Sequence, residues 1–143
     1  MKKLLLLLLI PILLCACTEN EAVAESSVES GPYLEISTQQ WSGWSPDAEF
    51  EVHTERYEIV EGCEIEVEHF MSPLVLTVNR FSDNVICLTF SEYLWTDLSD
   101  GSHVDLDAQA EIIISADETV TLRTPSFDAG YIYTLTYFAK TGE

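Results

Sequence analysis

The sequence predicts an all-β domain built as a two-sheet antiparallel sandwich, on three observations. The first is alternation. Residues 63 to 69 read Cys-Glu-Ile-Glu-Val-Glu-His, with Cys63, Ile65 and Val67 on one face and Glu64, Glu66 and Glu68 on the other. A helix would scatter those glutamates around its axis; a half-buried strand separates them. The second is a series of short runs rich in Val, Ile, Thr, Tyr and Phe, bounded by turn residues. The third is that nothing beyond the amino-terminal apolar stretch has the wide apolar stripe of a long amphipathic helix. A small β-barrel is the alternative architecture.

Taken in order, the expected strands are Leu34 to Thr38, Ala48 to His53, Cys63 to His69, Leu74 to Asn79, Val85 to Phe90, Ala110 to Ser115, Thr119 to Thr124 and Tyr131 to Phe138. Ala48 to His53 earns its place by alternation, the others mainly by β-branched and aromatic content. Glu61-Gly62, Asp83-Asn84, Asp100-Gly101, Asp117-Glu118 and Asp128-Ala129-Gly130 supply the turns. Seven to nine such strands in the 111 residues from Tyr33 to Glu143 suit a sandwich. At the level of class the domain resembles immunoglobulin-like and fibronectin-type domains. The stretch from Asp128 to Tyr133 looks like their turn into the penultimate strand, where a tyrosine caps the corner. It departs by one position, because the usual spacing lands on Ile132, between Tyr131 and Tyr133.

Ahead of the domain, Lys2 and Lys3 precede an apolar run from Leu4 to Leu14, broken only by Pro11 and followed by small Ala16. This is the order of a secretory signal peptide, and the run is shorter than the roughly 20 residues of a membrane-spanning helix. Leu14-Cys15-Ala16-Cys17 resembles the lipobox of bacterial lipoproteins. The resemblance implies cleavage before Cys17, lipid on its thiol, acylation of the new amino terminus, and a domain held outside the cytoplasm at the cell envelope. Thr18 replaces the Asp that would resemble an inner-membrane retention signal. The expected organisation is a signal peptide over 1–16, a lipidated Cys17 and flexible acidic tether over 17–32, and the folded domain over 33–143. The tether lacks aromatics and cannot bury enough apolar area to offset its ordering entropy.

Charge narrows the partners. The full chain has 25 Asp and Glu against 6 Lys and Arg. After cleavage only Arg56, Arg80, Arg123 and Lys140 remain as strong cations, a net side-chain charge of −21. Nucleic acid is excluded as a partner, because phosphates would be repelled. Anionic lipid would not hold this surface without the acyl anchor. Cationic peptides, basic wall components and divalent cations are electrostatically allowed.

Several residues are candidates for chemistry. Cys63 and Cys87, 24 positions apart and outside the cytosol, are expected to form a disulfide worth roughly 3 kcal/mol. Trp41-Ser42-Gly43-Trp44-Ser45 looks like the Trp-Ser repeat of cytokine-receptor and thrombospondin-type modules, over five residues only. With Trp95, Trp41 and Trp44 are either core plugs or a platform for a sugar or peptide. Asp97, Asp100, Asp105 and Asp107 crowd one segment and are candidate calcium ligands, although their spacing fits no EF-hand. No other cofactor is implied.

His53, His69 and His103 form no zinc motif, and no nucleophile elbow, phosphate loop or dinucleotide fingerprint occurs. The expectation is therefore a non-catalytic, membrane-anchored binding or accessory module for a peptide, glycan or envelope protein. A structural spacer or assembly component of an envelope complex is the second reading, and a small hydrolase the third.

Overall fold

Alternating sequence becomes strand where a second sheet covers its apolar face, and this protein supplies two sheets that cover each other. The computed structural model describes residues 31–45, 47–97 and 102–139. The signal segment, Cys17 and nearly all of the expected tether lie outside the described residues. Among the described residues there are ten strands: β1 (Tyr33–Ser42), β2 (Val52–Glu58), β3 (Glu64–Val67), β4 (Leu74–Phe81), β5 (Val85–Phe90), β6 (Leu94–Asp97), β7 (His103–Leu106), β8 (Glu111–Ser115), β9 (Thr119–Arg123) and β10 (Ala129–Phe138). One sheet has six strands in the order β2-β1-β10-β9-β6-β7, the other four in the order β3-β4-β5-β8. All ladders are antiparallel, and the sheets do not close into a barrel.

The core lies between the sheets. β1 contributes Leu34 and Ile36, β4 Leu74, Leu76 and Val78, and β5 Ile86, Leu88 and Phe90. β10 is central to the larger sheet, paired with β1 from Ala129 to Phe138 and with β9 on its other side. Its inward residues are Tyr131, Tyr133, Leu135 and Tyr137, all buried. Two of these tyrosines reach across the gap. Tyr133 Oη donates to the Glu68 carbonyl at 3.1 Å, and Tyr137 Oη to the Ser82 carbonyl at 2.7 Å. A Tyr thus fills the core with its ring and satisfies its hydroxyl on the loops of the opposite sheet. A parallel bridge from Ala116 to Tyr137 adds a backbone link just past the end of β8.

The expected strand over Ala48 to His53 is displaced. The strand is β2, and residues 48–51 lie in the loop before it. Pairing with β1 explains the shift, since the register runs from Gln39 opposite Val52 to Tyr33 opposite Glu58. Gln39 Nε2 donates to the Phe50 carbonyl at 3.2 Å, holding the loop beside the strand. β6 and β7 form an antiparallel pair in the Asp-rich segment, where the sequence predicts no strand.

The expected disulfide is absent. Cys63 and Cys87 are free thiols. The Cys63 carbonyl accepts the Val78 amide of β4, whereas Cys87 is on β5, on the far side of β4. Two strand spacings are about 10 Å, beyond the roughly 7 Å Cα separation a disulfide tolerates. The thiols also belong to opposite faces. Cys63 packs against the core cluster. Cys87 alternates with core residues Ile86 and Leu88, and its Sγ accepts a 3.2 Å hydrogen bond from exposed Arg80 Nε.

Arg80 reaches that outer face through a bulge. The β4–β5 register shifts between Val78 and Arg80, so Asn79 is the extra residue. Val78 and Phe81, three apart, can then both face inward, and the guanidinium stays out, bonded to Glu111 at 3.2 Å.

Candidate functional site

The strand directions sort the loops onto two poles. Tyr33 at the start of β1 pairs with Phe138 at the end of β10, their rings stacked with centroids 4.7 Å apart. The β2–β3, β4–β5 and β8–β9 loops share that pole. The opposite pole gathers the β1–β2, β3–β4, β5–β6, β7–β8 and β9–β10 loops.

Local chemistry holds this second pole together. Gly43 N donates to the Asp128 carbonyl at 2.6 Å, tying the β1–β2 loop to the β9–β10 loop. A Cβ on Gly43 would lie 2.8 Å from the Phe127 carbonyl oxygen, so the close approach requires glycine. Thr124 Oγ1 accepts the Tyr131 amide at 3.1 Å, and Ser126 Oγ accepts the Asp128 amide at 3.3 Å. Phe70 meets Tyr131 edge-on at 5.1 Å, and Phe127 meets Trp95 at 5.6 Å. A shallow hollow of about 260 Å³ lies between three of the loops, lined by His69, Phe70, Glu92, Tyr93 and Pro125.

What this pole offers is apolar surface. Trp44 is 79% exposed, Phe70 56%, Met71 100% and Phe127 85%. Each costs free energy in water, and each sits on a loop of the same pole. Exposed Asp47, Glu49, Glu92 and Asp128 lie on those same loops.

His69 is a half-buried titratable group here. Burial lowers its pKa, and the Glu92 carboxylate opposes this only in part. Tyr133, against which it rests, is held protonated well above the ordinary tyrosine value, by burial first and by Tyr131 and Glu68 second.

The tryptophans do not form one platform. Trp44 stands exposed at the pole. Trp41 is half-buried on the outer face of the six-stranded sheet, opposite Gly130, with its Nε1 buried and unpartnered among the described residues. Trp95 is half-buried on the same face, its ring 4.4 Å from His103 and its Nε1 donating to Tyr93 Oη at 3.3 Å. β10 and β9 lie between Trp41 on β1 and Trp95 on β6, which separates the two by about 14 Å.

Asp105 is exposed on β7, opposite Trp95 and 4.0 Å from His103 Nε2. Asp107 begins the turn into β8. The Asp97 side chain and Asp100 fall outside the described residues. Among the described residues, no group of three or more His, Cys, Asp or Glu is placed to hold a metal ion.

Phe70, Met71 and Phe127 were missed by sequence reasoning. Their signal was available: each sits next to a turn cluster, Ser72-Pro73 or Pro125-Ser126, where an apolar residue has no sheet to face.

Comparison with known proteins identifies no relative. No family model, no curated protein and no solved structure matches the chain.

Proposed function

We propose that this protein is a non-catalytic binding module, anchored to a bacterial cell envelope through Cys17, whose loop pole docks a partner protein. The observation that carries this reading is the placement of Trp44, Phe70, Met71 and Phe127, exposed together on the pole opposite Tyr33. Aromatic residues and Met are the side chains that dominate protein interfaces. A tether leading into β1 would present this pole away from the membrane. The acidic residues on the same loops favour a partner with an apolar centre and a basic rim. The immunoglobulin-like description belongs here too, as a shared plan: two packed sheets with recognition loops gathered at one end.

The test is site-specific photo-crosslinking in intact cells, with the reactive residue placed at 127, at 44, or at exposed Ile113 on the four-stranded sheet. The expected result is one adduct of defined mass from positions 127 and 44, and none from 113. Equal adducts from all three positions, or none from the pole, would overturn the reading.

A further inference from the structure

A second feature lies along the side of the sandwich, where edge strand β2 stands beside edge strand β3. Two contiguous hollows of about 300 and 170 Å³ run there. The first is bounded by Ile36 and Thr38 with His53 and Glu55 on one wall, and by Glu66 and Glu68 on the other. The second continues past Thr38, His53 and Glu68 to Phe50, Glu51 and Tyr131. Four carboxylates line the pair, and no Lys or Arg does so among the described residues. Arg56, the cation on β2, is turned to the outer face, bonded to Glu35 at 2.9 Å and lying over the Tyr33 ring. Tyr57 is bonded to Glu55, and its pKa is pushed up to about 12 by burial first and then by that bond. It is a neutral hydroxyl at physiological pH, and the groove keeps its negative charge.

The floor adds an independent observation. Thr38 is only 8% exposed and lines both hollows. Its hydroxyl opens onto the groove and is not sealed, since Trp41 Nε1 is the one sealed, unpartnered side-chain polar atom among the described residues. On a residue that is otherwise buried, this hydroxyl is the polar atom of the groove floor within a ligand's reach.

We infer that this groove binds an extended, basic segment of a partner protein. Such a chain would lie along β2 with alternate Lys or Arg side chains among the glutamates and a backbone amide or carbonyl on Thr38. The spacing matches. His53 and Glu55 are two residues apart along β2, as are Glu66 and Glu68 on the other wall. That repeat is about 6.8 Å, the repeat of same-side side chains on an extended chain. The groove stands independently of the loop pole, and either site can fail without the other.

The experiment uses the full chain in a nonionic detergent and a fluorescent nonapeptide with Lys at alternate positions and Thr between, read by polarisation. Binding is expected, weakening as salt rises. Glu55→Gln with Glu66→Gln should weaken it about tenfold, because two charge-assisted contacts are lost. Thr38→Val, of nearly equal shape, should weaken it several-fold at unchanged Tm. Glu61→Gln with Glu118→Gln, removing the same charge at the other pole, should leave affinity unchanged, as should Trp44→Ser. Equal loss from the Glu61 and Glu118 pair, or equal affinity for a peptide with its lysines in one block, would reduce the effect to net charge and overturn the inference. So would a free polyamine that binds as tightly as the peptide, or no binding at all.

Discussion

His69 Nδ1 lies 2.7 Å from Tyr133 Oη. The tyrosine has one proton, and its other contact, the Glu68 carbonyl at 3.1 Å, can only accept. With the Tyr133 proton on the Glu68 carbonyl, His69 donates from Nδ1. The pair fixes the imidazole tautomer and links the β3–β4 loop to β10.

This arrangement has a titration consequence. Burial lowers the His69 pKa, so the folded protein binds that proton more weakly than the unfolded chain. The associated stability is complete above the ordinary histidine value of about 6.5 and is lost as pH falls through it toward the folded value. In a two-dimensional NMR titration His69 should show the Nδ1–H tautomer and a midpoint below that value. Tyr133→Phe should abolish the tautomer preference.

Gly130 is a packing constraint. A Cβ there would meet Thr124 Oγ1 at 1.9 Å and Trp41 Nε1 at 2.8 Å, and Thr124 is itself buried and bonded to the Tyr131 amide. Gly130→Ala is expected to cost about 1–3 kcal/mol in denaturant unfolding, as overpacked cores do.

Tyr137 joins the sheets at the pole of Tyr33. Tyr137→Phe keeps the ring and removes the 2.7 Å bond to the Ser82 carbonyl. The expected loss is about 1 kcal/mol, read as a lower urea midpoint with unchanged m-value.

The two thiols should behave as separate groups. Alkylation in denaturant without prior reduction should label both Cys63 and Cys87, and a reductant should leave Tm unchanged. A Tm that fell on reduction would contradict the opposite-face placement.

The exposed pole residues should be dispensable for folding. Trp44→Ser and Phe127→Ser are each expected to change stability by less than about 0.5 kcal/mol, since neither fills the core. Self-association at high concentration, read by light scattering, should fall.

Most of the fold was legible where strands are covered on one face. β5 was delimited at both ends, and β3, β4, β8, β9 and β10 within a few residues, because alternation and turn chemistry agree there. β2 was not, because nearly all its residues are exposed on both faces, which leaves no apolar face to read. Its place is set by the partner register of β1. β7 was hidden because it lies at a sheet edge, where the charge of Asp105 is tolerated, and β6, inside the sheet, because it is only four residues long. The bulge at Asn79 did leave a trace: Val78 and Phe81 are spaced three apart within an otherwise period-two run. The disulfide was misread because sequence separation says nothing about which strand lies between two cysteines. Of the candidate site, only Trp44 was legible; the groove beside β2 needed the three-dimensional placement of two edge strands.

β10 has a consequence for the order of events during synthesis. It is the last of the described strands to be made, yet it pairs on both sides and holds the tyrosines that cross the core. Until it arrives, β1 waits with one side open, its partner roughly a hundred residues away. Contacts of such long range are slow to form. A chain that lacks Ala129 to Phe138 would expose β1 and β9 as two raw edges and lose the centre of its larger sheet. The protein therefore commits to its native state late, and a nascent chain stays unfolded until the last of its described strands has been made.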